Sequence, residues 1–187
     1  MDVITLQEHQ QAILTLDEVK IHLRVESDLE DAYIESLIAS AIDFCENFTR
    51  RSLIERHVLF IDHHFPHGSI QLPLYPVQEI VKITYQDRND VTKELPASDY
   101  NSALLLEPPL IAPRKPWPTD LSFLPGSLRI EAVVGYKKVP LSIKQAILLL
   151  CGHFYENREV MRDNYAHGSE IPFSVSALLY PYKVLRW

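Results

Sequence analysis

The chain has 187 residues, 47% of them hydrophobic and 23% charged, with two cysteines, five glycines, thirteen prolines and a net charge of -7. That length fits one domain carrying a substantial insertion, and folding it buries roughly 70% of the unfolded surface, enough for a core without staples. Two cysteines exclude a disulfide scaffold and a four-cysteine zinc site. No apolar run approaches the ~18 residues of a membrane span. Met1-Asp2-Val3-Ile4-Thr5 lacks the basic and apolar regions of a signal peptide, so folding in a reducing cytoplasm is the expectation.

Charge is uneven. Residues 1–50 hold eleven Asp and Glu against three Lys and Arg, a net of -8, and the rest of the chain is close to neutral. Such a segment repels phosphate backbones, which argues against ordinary duplex DNA binding through it. It reads either as a solvated helix face or as a surface that meets nucleic acid without sticking to it.

In chain order the elements run helices, strands, helices. Thr15-Leu16-Asp17-Glu18 has the spacing of a capping box and opens a short helix over about 15–24. Asp28 is placed to cap a second helix over about 28–50, with Glu30 and Asp31 in its first turn, where the dipole favours anions. Ile34, Ile38, Ala41, Cys45 and Phe48 form its apolar stripe, widened by Leu37 and Phe44. From Arg56 the period changes to two, and Val58 and Phe60 alternate with His57, Leu59 and Ile61. Ser69 to Leu74 reads as a second strand. Val81, Ile83 and Tyr85 mark a third that ends at the turn residues Asp87-Arg88-Asn89-Asp90. Leu104 to Leu106 reads as another short strand. Residues 108–125 carry six prolines and read as one long extended loop. Leu128, Ile130, Ala132, Val134 and Tyr136 then alternate strictly, with Gly135 at a bulge or a close approach.

Pro140 opens a third helix running to about Glu159, apolar nearly all round. Arg162 to Glu170 reads as a loop. Pro172 starts a last helix with Val175, Leu178 and Leu179 as its apolar face, stopped by Pro181. The tail, Tyr182 to Trp187, is apolar enough to need cover, from a partner or from the chain's own core. The sum is an α+β fold: a small bundle of about four helices, formed by residues 1–55 and 138–187, with an antiparallel β-rich insertion at 56–137.

Signals for chemistry are few. His57, His63, His64 and His67 are the densest constellation, and His57, His63 and His67 are the residues a metal-dependent hydrolase would use. A strand sends His57 and His63 to one face and His64 to the other, with no H-E-x-x-H pattern to gather ligands. Cys151 and His153 diverge by roughly 200° on a helix. There is no nucleophile elbow, no P-loop and no dinucleotide fingerprint. The residues imply no catalytic group, no metal site and no cofactor. A small DNA-binding regulator would need a basic face that is missing.

The order of pieces resembles the tailed-phage head–tail connector family, also called head-completion or adaptor proteins, in its branch with a β-rich insertion. The residues carrying the resemblance are Leu14 to Val25 as the opening helix and Asp28 to Thr49, centred on Leu37-Ile38-Ala39-Ser40-Ala41, as the long second helix. Trp117-Pro118 matches a loop motif. Val134-Gly135-Tyr136, Val139-Pro140, Lys144 to Leu150 and Tyr155 to Glu159 follow, and Phe173 to Tyr182 matches the closing helix and tail. The resemblance implies a structural virion protein and no enzyme. It would assemble in the host cytoplasm into a ring of roughly a dozen copies under the portal. There it would close or extend the DNA channel, contact a tail-side completion protein, and let double-stranded DNA pass without sequence-specific binding. On that reading Glu30, Asp31, Glu35, Asp43 and Glu46 face the channel, and Trp117, Tyr182, Leu185 and Trp187 contact the portal or the next subunit. A tail-side or capsid-decorating structural protein would have the same composition.

Overall fold

The β-rich insertion and the helices separate cleanly in the computed structural model, which describes residues 1–8, 12–157 and 172–184. Among these residues there are four α-helices, a five-stranded antiparallel sheet and a three-stranded antiparallel sheet, an α+β fold. One unit comprises Met1–Gln11 and Ile54–Lys137, the other Ala12–Leu53 and Lys138–Trp187.

In the helical unit, α1 (Leu16–Leu23) starts from Thr15 with the capping box complete. The Thr15 hydroxyl accepts from the Glu18 amide at 3.2 Å, and the Glu18 carboxylate accepts from the Thr15 amide at 2.7 Å. Such a box satisfies two backbone donors that the helix itself leaves unpaired. Beyond α1, Lys20 reaches Asp28 at 2.6 Å and Asp31 at 2.7 Å, pinning the connector to the start of the next helix. That helix begins three residues later than Asp28: Ser27 caps a tight turn over Asp28–Glu30, and α2 spans Asp31–Thr49. Its buried seam is Ile34, Leu37, Ala41, Ile42, Cys45 and Thr49, with Ile38 and Phe48 half-buried at its margins.

α3 (Leu141–Glu156) buries Ile143, Ala146, Ile147, Leu150 and Cys151 on one face. It is not enclosed all round: Leu148 and Leu149 are half-buried, and Leu141 and Gln145 are exposed. α4 (Phe173–Leu179) buries Val175 and Leu179, while Leu178 is half-buried. Pro181 does not end the winding; it sits inside a tight turn, Tyr180–Tyr182, at a position that needs no N–H. The expected loop at 162–170 lies outside the described residues.

The β unit carries β1 (Asp2–Glu8), β2 (Arg56–Asp62), β3 (Ile70–Gln71), β4 (Val77–Gln86), β5 (Thr92–Glu94), β6 (Tyr100–Ala103), β7 (Leu110–Pro113) and β8 (Leu128–Val134). The larger sheet has the order β1-β2-β8-β4-β5 and the smaller β3-β7-β6. Alternation sends Val58, Phe60, Ile83, Leu128, Ile130, Ala132 and Val134 into one core, which also takes Ile70, Leu72 and Ile111.

Four features depart from the reading of the sequence. Residues 2–8 belong to the sheet and not to the helices: β1 pairs along β2, Val3 opposite Phe60 and Thr5 opposite Val58. All seven of its residues are exposed, so backbone pairing and not burial holds it, and no apolar alternation announces it. Leu104 to Leu106 is the turn after a strand, not the strand, because Tyr100–Ala103 is the segment that pairs with β7. The proline-rich stretch is not wholly irregular: Leu110-Ile111-Ala112 is long enough to pair, and Pro113 stands at the strand end, where proline is tolerated. β5 pairs with β4 through three residues only, too short for a period to show.

Gly135 is a close approach. Its φ is +98°, and a Cβ there would lie 2.2 Å from the Ile54 carbonyl oxygen. Its amide donates to the Pro76 carbonyl at 2.8 Å. Gly135→Ala should therefore combine backbone strain with a clash against main chain that cannot swing away. The expected loss is about 2 kcal/mol or more, read by denaturant unfolding; a loss within ~0.5 kcal/mol would contradict this geometry.

Candidate functional site

The five acidic positions on and before α2 divide into two kinds. Asp31 is half-buried and paired with Lys20. Glu30 accepts the Tyr155 hydroxyl. Glu46 accepts the Leu53 amide at 2.6 Å, covering a donor just past the helix end. These three carboxylates bind the unit's own elements together. Glu35 and Asp43 are exposed, on a face that also shows Ala32, Ser36, Ala39, Ser40 and Asn47. The serine hydroxyls turn back onto the helix: Ser36 donates to the Tyr33 carbonyl at 2.6 Å and Ser40 to the Ser36 carbonyl at 2.9 Å. The outer face of α2 is thus smooth and negative.

The tail is docked as far as the structure describes it. The Val184 amide donates to the Thr49 carbonyl at 3.0 Å, satisfying one of the acceptors that the end of α2 leaves open, and Val184 is buried. The Tyr182 carbonyl accepts from Arg51 Nε at 2.6 Å, and Lys183 Nζ lies 4.7 Å from the centre of the Phe48 ring. Through Val184 the tail therefore covers its own unit. Leu185 and Trp187 lie outside the described residues.

Trp117 is half-buried in the β unit. Its ring stacks on Phe65 at 5.0 Å and its indole N–H donates to the Gly68 carbonyl at 2.8 Å. His57 and His63 take different partners. His57 Nε2 lies 3.7 Å from Glu131, which pairs with Lys82 at 2.9 Å, while His63 Nδ1 accepts from the Gly126 amide at 3.0 Å. Among the described residues no three His, Cys, Asp or Glu side chains come together to hold a metal. Burial pushes the Cys45 thiol up to about 12 and the Cys151 thiol up to about 11, which leaves both as thiols and poor nucleophiles at neutral pH.

The sequence reading missed a set of exposed apolar side chains. Phe123 is 88% exposed and Leu124 52%, and Leu29, Leu105 and Phe173 are also turned outward. Phe123 sits in a loop fastened on several sides. Ser122 N donates to the Gln86 carbonyl, Gln86 N to Ser127, and Arg88 N to Asp120. Lys93 clamps Asp120 at 2.7 Å to Asp87 at 2.9 Å. Asp87 is itself buried and accepts the Asn89 and Val91 amides. The available signal was an apolar pair immediately before Pro125-Gly126, a place where turns are polar by default.

The chain matches the family model described as head completion protein over residues 12–186. No curated protein matches it in sequence. Among solved structures it is similar to a chain in the virion of a native gene transfer agent (GTA) particle, with a TM-score of 0.78 and 21% identity. It is also similar to chains in the neck of a native GTA particle computed with C12 symmetry (0.77, 22%) and in the neck of an empty GTA particle computed with C6 symmetry (0.76, 23%). In each case the alignment covers 100% of this chain and 97% of the other. At such identities the likeness shows a shared fold.

The Asp87–Lys93–Asp120 clamp has a pH signature. Hydrogen bonds from Lys93 hold both carboxyls below the usual carboxylate range, and the same bonds raise Lys93. Carboxyls lowered on folding contribute stability that is complete above their unfolded pKa, ~4, and is lost as pH falls through the folded values. The denaturation midpoint should drop between about pH 5 and pH 2, and Lys93→Met should flatten part of that drop. An identical acid limb in the variant would show that the clamp does not carry it.

Proposed function

Because the chain belongs to the head completion protein family, we propose that this phage head–tail structural protein assembles as a ring at the portal and carries the DNA channel toward the tail. The observation that carries this reading is the family match, which spans all but the first eleven residues and the last one. The shared fold with particle neck chains, unbroken over the whole length, supports it. On this reading the protein is no enzyme. It folds in the host cytoplasm, joins the virion at the head–tail junction, and has as partners its own copies, the portal and a tail-side completion protein.

The outer face of α2 suits a channel wall. A duplex moving past it meets Glu35 and Asp43 spaced by small residues, and serine hydroxyls already turned to backbone carbonyls. Phosphates are repelled and find few donors, so DNA passes without being held. Glu30, Asp31 and Glu46 add negative charge nearby while tying the unit together. The end of the tail, from Leu185 on, is the part assigned to the portal or the next subunit. Trp117, stacked on Phe65 and bonded to the Gly68 carbonyl, is the β unit's part in the contact with the portal or the next subunit.

The first test is electron microscopy of lysates from the parent phage lacking this gene. Free tails beside tailless heads that leak DNA are expected; normal tailed particles would refute the reading. In complemented phage, Glu35→Lys with Asp43→Lys should slow ejection or trap DNA in assembled particles, and unchanged ejection would remove α2 from the channel. Deleting 185–187, which spares the Val184–Thr49 contact, should abolish tail attachment while the chain keeps its unfolding midpoint. Normal attachment would show that these three residues are not an interface.

A further inference from the structure

The loop bearing Phe123 has the properties of a preformed anchor. An 88% exposed phenylalanine is costly in an isolated chain, and a loop that merely tolerated it would not need so many ties. Besides the contacts given above, Arg88 donates to the Thr119 carbonyl at 3.0 Å, Arg129 Nε to Gly126 at 3.3 Å, and Gly126 takes a φ of +78°. The Arg88 guanidinium lies 5.5 Å from the centre of the Phe123 ring. A side chain held this way has already lost its loop entropy, so docking it costs less. An aromatic beside an arginine is also the composition of interface hot spots.

What would receive it must be apolar and acidic. The same chain exposes side chains of both kinds around α1 and the connector after it. Leu29 is 95% exposed and Ile21 78%. Exposed Asp17 stands one helical turn before Ile21, and exposed Glu26 lies in the connector to Leu29. Lys20, through Asp28 and Asp31, holds that connector in place. Two different, complementary surfaces on one chain make a heterologous contact, the kind that closes rings.

We propose that neighbouring copies join here: Phe123 and Leu124 of one copy seat on Ile21 and Leu29 of the next, with Arg88 and Arg129 facing Asp17 and Glu26. This rests on the ring reading and names the contact that builds it. The partner is a second copy, and a tail-side protein or a lipid surface is what the experiment would reveal instead.

The test uses particles from phage complemented with Phe123→Cys, Leu29→Cys, or both; the native Cys45 and Cys151 are buried. Mild oxidation of the double variant should give a ladder of multimers, one chain per step, that reductant collapses, with no ladder from either single variant. Particles that contain the double variant and give no ladder, or a Phe123→Cys chain that cross-links to another protein, would overturn the contact while leaving the head–tail role standing. Absence of the chain from wild-type particles would overturn both. A charge exchange checks the same contact without cysteines. Arg88→Glu with Arg129→Glu should cut incorporation about tenfold, the factor carried by ~1.4 kcal/mol. Adding Asp17→Lys and Glu26→Lys should restore it, and failure to restore would count against the pairing.

Discussion

The structure depends on one constraint, the side-by-side placement of two of the three chain crossings between the β unit and the helices, those at 53/54 and 137/138. β2 and β8 are antiparallel neighbours, with Arg56 opposite Val134. The segment entering at Ile54 and the segment leaving at Gly135 therefore run against each other, so closely that only glycine fits. An insertion whose ends meet asks little of its host, because the helices before and after it see a short connection instead of a long loop. β8 extends the same logic: flanked by β2 and β4, it is the strand whose inward residues complete the core of the insertion.

Several carboxylates of the acidic first quarter are engaged by groups of their own unit. Glu18 closes a capping box, Asp28 and Asp31 share Lys20, Glu30 takes a tyrosine hydroxyl, and Glu46 covers an amide past the helix end. Their engagement is compatible with exposure: Glu18 and Asp28 stay exposed while they make these bonds. Both functional readings use exposed carboxylates: Glu35 and Asp43 on the outer face of α2, and Asp17 and Glu26 at the α1 end. The tail obeys the same pattern. Its residues up to Val184 close the end of α2, and the proposed attachment to a partner draws on 185–187 alone.

The legible parts were those where one local signal sufficed. Thr15 and Glu18 announce α1 because a capping box is a contact between residues three apart. β2 and β8 alternate because one face is buried, and Gly135 stood out because so few glycines are present. β1 was not legible, since it is exposed on both faces and exists only through its pairing with β2. Neither was β7, whose pairing with β3 and β6 outweighs the flanking prolines. For the candidate site, the acidic helix could be read but the division of its carboxylates could not. Which ones are spent depends on Lys20, Tyr155 and Leu53, each of them seven or more residues from the carboxylate it meets.

Sequence alone determined the helices and main strands, the order in which they come, the acidic bias of the first quarter and the family resemblance, because each is a matter of residue type at fixed local spacing. Tertiary structure decided which carboxylates find partners in their own unit, where the tail settles as far as Val184, and that Phe123 is held outward on a braced loop. Those outcomes are set by contacts between residues distant along the chain, Val184 with Thr49 and Arg88 with Asp120 among them, and no local pattern encodes such pairings.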